Sequence, residues 1–215
     1  MSAVPRPDWL AEFPKLAEVY DRWMARDVLS KADFDLLAKE MKGTAFSAAG
    51  TMTDVVRQRL LDTLGKALSE GMTVAQWQEA TAGIFESDAY ARLVFRTNIT
   101  NAYDGARYGD MFGDLGQDYP AWRFNAVIDE RNDEPDECPN QICRKLDGKV
   151  FLKSDVPARH LLPKVHWQCR CYASEVSADE AGGAIKASTL GLTAQDDWDF
   201  DKLSLAPKAL SGGTT

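Results

Sequence analysis

The sequence of 215 residues has few cysteines and histidines and no long apolar run. A membrane-spanning helix needs about 18 or more consecutive apolar residues, and no stretch of this kind occurs. Residues 1 to 9 contain two prolines and no apolar core, so no secretory signal is predicted. We therefore expect a protein without membrane contact, in which free thiols or metal binding are favoured over disulfides.

Acidic residues outnumber basic residues in this chain. The chain has 25 lysines and arginines against 33 aspartates and glutamates, a formal net charge of −8. Broad electrostatic binding of nucleic acid needs clustered lysine and arginine, so this balance argues against it. A hydrophobic fraction of 45% with 27% charged residues is ordinary for a globular protein, and the length allows one large domain or two small ones.

The few cysteines and histidines that do occur are concentrated in one stretch. Cys138 and Cys143 form a first pair, Cys169 and Cys171 form a second, and His166 precedes the second pair by three residues. Two thiol pairs on separate loops can converge on one tetrahedral Zn²⁺. These five residues are the candidate ligands of a structural zinc. One or two disulfides, or free buried thiols, are the alternatives.

Local patterns indicate how the two pairs are presented. Leu146-Asp147-Gly148-Lys149 predicts a tight turn after the first pair. Residues 167–176 alternate as in a strand, which would place Cys169 and Cys171 on the same face.

The first half of the chain has helical periodicity. Apolar spacing and capping residues predict a first helix that is kinked or restarted at Pro14 and a second that begins at Ser30. A third is predicted to begin at Thr51 or Thr53 and to end at Gly71, a fourth to begin with a capping box between Thr73 and Gln76, and a fifth to begin at Ser87. The last of these is predicted to end at Gly109. Arg96 and Arg107 would lie on nearly the same side of it, either as a solvated or salt-bridged face or as an anchor for the following sheet or a partner.

In the second half of the chain, helical periodicity gives way to strand-like alternation. Residues 122–128 alternate as a strand with Trp122, Phe124, Ala126 and Ile128 on one face. The fold class predicted is α+β: an N-terminal helical region, a small mixed α/β module with a Cys/His cluster, and a flexible C-terminal tail. The predicted domains are 1–86, 87–178 and 179–215.

Four segments between Arg96 and Cys171 resemble the phage Mu F-like minor head protein family, also called phage head morphogenesis proteins. They are R-T-N-I-T-N-A-Y-D-G-A-R-Y from Arg96, W-R-F-N-A-V-I-D-E-R from Trp122, C-P-N-Q-I-C-R-K-L-D-G-K-V-F from Cys138, and H-W-Q-C-R-C from His166. Their shared order makes the resemblance specific. The family's Cys-x-x-Cys is lengthened here, an acidic insertion precedes it, and Trp167 stands where the family has proline.

The resemblance implies a minor structural protein of the virion that acts in head assembly. It implies a location in the capsid interior near the portal, with passage through the host cytoplasm during assembly. The implied partners are the portal protein, a major capsid or scaffold protein and, in some members, DNA. No catalysis is implied.

Two alternative functions stay open. The family fold is similar to that of ADP-ribosyltransferases, but the sequence has no Glu-x-Glu pair of the kind those enzymes use. A zinc-containing DNA-binding module is the second alternative, because the cysteine region is locally basic. Its candidate contacts are Arg144, Lys145, Lys149 and Arg170. In the acidic C-terminal stretch, Trp198 and Phe200 are candidate anchors for a protein partner.

Overall fold

Capping and periodicity produce the helices of the first half much as their residues predict. The computed structural model describes residues 6–28, 45–46, 52–129, 141–166 and 169–193. The chain divides into two compact units, whose described residues fall within 6–109 and within 110–193. We call these the helical unit and the cysteine module. The division predicted from composition, at 86/87 and 178/179, stays a prediction.

The helical unit begins with a 3-10 helix, Asp8–Glu12, followed by α1, Pro14–Met24. Proline at the first position of α1 leaves no hydrogen bond unmade, because the first amides of a helix have no partner within it. The predicted helix from Ser30 lies outside the described residues. Two short strands, β1 (Asp27–Val28) and β2 (Ala45–Phe46), pair in parallel.

Helix α2, Asp54–Glu70, has the predicted cap at each end. The Thr53 hydroxyl accepts from the amide of Val56, and Gly71 closes the helix with a φ of 68°. Helix α3, Val74–Ala80, starts with the predicted capping box between Thr73 and Gln76. Both caps are local, so the sequence alone determines them.

Helix α4, Asp88–Phe112, is longer than predicted. The prediction that Gly109 ends it is wrong. A glycine inside a helix costs only about 1 kcal/mol relative to alanine, so it does not by itself stop the helix. Gly113 follows the last helical residue with an extended backbone, φ −92° and ψ −163°.

The core of the helical unit is made of leucines and large aromatics. Trp77 is fully buried, with ring centroids 5.5 Å from Phe85 and 5.4 Å from Phe95. The face of α2 that carries Leu60, Leu61, Leu64 and Leu68 supplies much of the remaining buried surface. No helix among the described residues is long and apolar enough to cross a membrane.

The cysteine module is built on a three-stranded antiparallel sheet. Strand β3, Ala121–Asn125, lies between β4, Val150–Leu152, and β5, Tyr172–Val176. A short helix, α5, Ile142–Leu146, precedes β4. The described architecture is thus helices followed by a small sheet with a cysteine cluster, which confirms the predicted α+β class.

The buried face of β3 is narrower than predicted. Trp122 and Phe124 are fully buried, and Trp122 stacks on Phe151 with centroids 4.8 Å apart. The prediction that Ile128 shares this face is wrong, because β3 ends at Asn125 and Ile128 is 36% exposed. The alternating sequence pattern continues to Ile128, but the strand ends at Asn125, where its pairing with β5 ends.

Lys153 connects the end of α4 to this sheet within the module. Its ammonium group donates to the carbonyl oxygens of Met111 and Gly116 and to the carboxylate of Glu175. The Gly116 carbonyl is 2.7 Å away and the Glu175 oxygen 2.9 Å. The Met111 carbonyl lies in the last turn of α4, where the helix supplies no amide partner, so the ammonium group satisfies it. The Gly116 carbonyl also accepts from the amide of Tyr119.

The described part of the predicted flexible tail, residues 179–193, forms turns against the sheet. Two 3-10 helices, Ala181–Gly183 and Ala187–Thr189, lie in it. The amide of Ile185 donates to the carbonyl of Val150 at 2.9 Å, and the amide of Ala187 donates to Asp155 at 2.8 Å. These residues are tied to the sheet, and Trp198 and Phe200 lie outside the described residues.

Candidate metal centre

Three buried thiols meet on one side of the cysteine module. Cys143 lies in the first turn of α5, while Cys169 and Cys171 lead into β5. Their sulfur atoms all lie within 4.8 Å of one another, and those of Cys143 and Cys169 are 3.7 Å apart. Tetrahedral Zn²⁺ with bonds of about 2.3 Å to sulfur requires sulfur atoms roughly 3.8 Å apart. The separation of Cys143 and Cys169 in this thiol cluster therefore fits a zinc ion, and the sulfur of Cys171 lies within 4.8 Å of both.

His166 lies beside the thiol cluster. It is only 1% exposed, and its Nε2 lies 3.1 Å from the sulfur of Cys143. Nitrogen and sulfur ligands of one zinc ion are separated by roughly 3.6 Å, so a small movement would bring His166 into a coordination position. Cys138, the other predicted ligand, lies outside the described residues. Which four of the five predicted residues would hold an ion stays a prediction.

A network of backbone hydrogen bonds places α5 next to β3. Gly148, with φ 69°, donates its amide to the carbonyl of Phe124, and the Asp147 carboxylate accepts from the amide of Ala126 at 2.9 Å. The predicted Asp-Gly turn thus holds the end of α5 against the sheet. The helix itself was missed, because five residues are too few for a periodic pattern; the buried pair Ile142 and Leu146 was its only signal.

The second pair of thiols is held by a residue that sequence reasoning did not single out. Lys164 has a φ of 70° and is only 7% exposed. Its ammonium group donates to the carbonyl of Cys171 at 3.0 Å. The amide of Cys169 donates to the carbonyl of His166 at 3.3 Å. These bonds hold Cys169 and Cys171 in place beside His166 and Lys164.

The same bonds explain a wrong prediction. Alternation in the sequence predicts Cys169 and Cys171 on one face of a strand, but β5 begins only at Tyr172. The amide of Cys169 and the carbonyl of Cys171 are engaged locally, with His166 and Lys164. Both sulfur atoms nevertheless join the cluster.

The electrostatics of the thiol cluster favour a cation. The contacts with Cys143 and Cys171, together with His166, hold the pKa of Cys169 well below its usual range. The same contact with Cys169, a second with Cys171 and burial raise the pKa of Cys143. For Cys171 the contact with Cys143 lowers the pKa, but the Cys169 thiolate and burial outweigh it and bring the pKa to about 12. Without a cation, only one of the three neighbouring thiols is readily ionised. A divalent cation would stabilise the thiolate form of all three.

One further contact supports a thiolate at Cys171. The amide of Val127 donates to its sulfur at a distance of 3.4 Å. A hydrogen bond to the ionised form favours that form, and outer contacts of this kind orient metal ligands. It also brings the segment that follows β3 to the cluster.

The predicted DNA contacts fall into two groups. Arg144 and Lys145 at the end of α5, and Lys149 on the following turn, are exposed. Arg170 instead forms an ion pair with Asp129, which raises the pKa of the arginine. The structure therefore brings three of the four to the surface and engages the fourth internally.

The model of one protein family, described as phage Mu protein F like protein, matches residues 58–174. The match covers more than half of the chain and includes all four cysteines. The chain belongs to the phage Mu F-like family. Comparison with curated proteins found no match, and comparison with solved structures found none either.

Membership confirms the resemblance seen in the sequence. The family is a structural one that acts in phage head morphogenesis, so the chain is a phage head protein by family. The family also implies, in general terms, association with the virion and with other head proteins.

Proposed function

We propose that this protein is a minor structural component of a phage head, placed in the capsid interior at the portal, with a cysteine module that Zn²⁺ holds together. The observation that carries the proposal is the coincidence of two findings. The family match extends across the cysteine module, and within that module three buried thiols converge at zinc-binding distances.

The donor set supports a structural role for the metal. A catalytic zinc keeps one position open for water and has an acid or base beside it. Among the described residues, the group that could hold an ion consists only of Cys143, Cys169 and Cys171, all buried. With His166 or Cys138 as fourth ligand the coordination sphere would be closed. A closed site contributes folding free energy directly.

The zinc proposal is tested on the full chain purified without chelator. We expect one zinc per chain by elemental mass spectrometry, and four titratable thiols after denaturation and metal removal. Absence of metal together with fewer than four thiols would show disulfides instead.

The fourth ligand is identified by a pair of variants with a matched control. C138S and H166A are each compared with H160A, which changes an exposed histidine of the same module. We expect one of the first two to lose zinc and H160A to keep it. If both keep zinc, the three described thiols and a solvent molecule suffice, and the closed site is refuted.

The role in the head is tested by co-expression with the portal, major capsid and scaffold proteins of the same phage. We expect the chain to co-purify with the portal ring at a fixed low ratio, and to be found in few copies per virion by quantitative mass spectrometry. Its absence from purified particles, with no complex formed, would contradict the proposal.

A zinc-containing DNA-binding module is the second candidate function. The exposure of Arg144, Lys145 and Lys149 on one end of the cysteine module favours it. The ADP-ribosyltransferase alternative has no such support.

A further inference from the structure

Lys164 combines two features that are each unfavourable for a lysine. It is only 7% exposed, and its backbone has a φ of 70°, in the left-handed region that glycine adopts most readily. Burying an ammonium group and holding a residue other than glycine in this region both raise the free energy of the folded state. An outlier of this kind points to a function of the side chain, since glycine would fit the backbone better and an apolar residue would fit the burial better.

The ammonium group of Lys164 lies close to the thiol cluster. It donates to the carbonyl of Cys171 at 3.0 Å, and the sulfur of Cys171 belongs to the cluster. The carbonyl oxygen and the sulfur of one cysteine are only four bonds apart. The positive charge therefore lies within about 8 Å of the Cys171 sulfur, which is less than the screening length of about 10 Å in 0.1 M salt.

The segment that carries Lys164 is buried along its length. All residues of 161–166 are buried, and Leu162 and Val165 have no exposed surface. A charge in such surroundings is screened less by solvent and salt than a charge at the surface. The ammonium group therefore acts strongly on other charges within its reach.

A zinc ion in the thiol cluster would leave an excess of negative charge. Zn²⁺ with three thiolates and a neutral histidine has a formal net charge of −1, and Zn²⁺ with four thiolates has one of −2. Buried charge of this kind is stable only when hydrogen bonds or an opposite charge offset it. Whichever residue is the fourth ligand, the excess charge is negative and lies beside Lys164.

Arg170 is a second cation near the cluster, but it is placed differently. It lies between Cys169 and Cys171 in the sequence and forms an ion pair with Asp129. Both side chains of this pair are about one-third exposed. The charge of Arg170 is therefore offset by a carboxylate and screened by solvent, so the buried ammonium group of Lys164 has the stronger effect on the thiolates.

We propose that Lys164 is a positioning residue of the zinc site, which holds Cys171 through its carbonyl and offsets the negative charge of the metal-bound thiolates. The inference rests on the proposed function, because it requires zinc at the thiol cluster. Cys171 is then held at two atoms, by Lys164 at the carbonyl oxygen and by the amide of Val127 at the sulfur. The positive charge tightens zinc binding and makes the bound thiolates less nucleophilic, as a structural site requires.

The first measurement is the zinc dissociation constant of the full chain, obtained by competition with a chromogenic chelator. K164M removes the charge and the donor at nearly constant length, and it should weaken zinc binding about 10- to 100-fold, the usual effect of removing a group that supports a metal ligand. K164Q keeps a donor without the charge and should resemble K164M, whereas K164R keeps the charge and should recover most of the affinity. K149M changes an exposed lysine of the same module and should bind zinc as the wild type does.

The second measurement responds to charge and is made at saturating zinc, so that every variant is compared in its metal-bound form. The rate at which iodoacetamide alkylates the cysteines is followed by mass spectrometry. K164M should react about 3- to 10-fold faster than the wild type, because nucleophilicity follows roughly half of a change in thiolate basicity. The difference should persist when salt is raised, since a buried charge is screened little. K164G adopts the φ of 70° without strain, so it keeps the fold and should react as fast as K164M.

Two results would overturn this inference while zinc stays in place. One is wild-type zinc affinity and wild-type alkylation rate in K164M, which would show that the side chain has no part in the site. The other is wild-type behaviour of K164Q, which would show that the hydrogen bond acts without the charge. A wild-type chain that holds no zinc would instead refute the zinc site itself, and this inference with it.

Discussion

The helical unit buries leucines and tryptophans along whole helix faces, whereas the cysteine module surrounds three thiols with short elements. In the helical unit, α2 alone contributes four fully or almost fully buried leucines. In the cysteine module the sheet has three strands of three to five residues each. The cysteine module also buries large apolar side chains, among them Trp122, Phe124 and Phe151, and a metal ion at its thiols would add folding free energy to that core. The comparison teaches that two units of one chain can depend on different sources of stability.

Removal of the metal should produce the largest difference in stability between the two units. Zinc bound to a structural site contributes on the order of 10 kcal/mol, which is comparable to the whole stability of a domain. We therefore expect a strong chelator, or C143S, to unfold the cysteine module while the helical unit keeps its structure. Amide hydrogen exchange read by mass spectrometry would show loss of protection in 141–193 and none in 54–80. Loss of protection in both regions would show that the units fold as one.

A matched pair of tryptophan substitutions sharpens the comparison next. Trp77 and Trp122 are both fully buried, one in each unit. W77A and W122A should each cost about 3–5 kcal/mol in free energy of unfolding. Only W122A should also weaken zinc binding, measured by competition with a chromogenic chelator, because metal binding is coupled to the folding of its own module. Equal weakening by W77A would contradict the independence of the units.

Replacing Lys153 tests the polar link within the cysteine module. K153M keeps the length of the side chain but leaves the Met111 carbonyl without its donor and removes the ion pair with Glu175, which should cost about 1–3 kcal/mol. The measurement is denaturant unfolding followed by a probe in the sheet. K149M, which changes an exposed lysine nearby, should change stability by less than about 0.5 kcal/mol. Similar values for the two variants would show that the ammonium group is dispensable.

The smallest effect is expected at the cap of α3. T73A removes the hydroxyl that accepts a hydrogen bond from the backbone amide of Gln76. Caps of this type contribute about 1 kcal/mol to stability. T100A changes a threonine inside α4 and should be neutral or slightly stabilising, since alanine has the higher helix propensity. Thermal unfolding of the helical unit checks both. Zinc affinity should be unchanged in either variant.

Local chemistry determines which parts of this fold the sequence predicts. The caps at Thr53 and Thr73 and the stop at Gly71 depend on a few neighbouring residues, and the structure contains all three. The thiol cluster was predictable for a related reason, because cysteines that occur only as two close pairs are typical of a shared metal site or of disulfides. In each case the residue type carries the information by itself.

The features that were missed depend on distant partners. Lys164 is an ordinary surface residue in sequence, and its role at Cys171 arises only when the chain folds back. The short helix at Ile142–Leu146 forms because its apolar residues pack, and the true ends of α4 and β3 depend on their neighbours.

The hydrogen bond from the amide of Ile185 to the carbonyl of Val150 limits where the chain can be truncated. Strand β4 is an outer strand of the sheet, and the segment after β5 covers part of its free edge. An uncovered edge invites pairing with another chain, especially at the high local concentrations reached when many proteins assemble together. A chain cut at the sequence-predicted boundary after residue 178 would expose this edge, so a recombinant form should extend at least through residue 190.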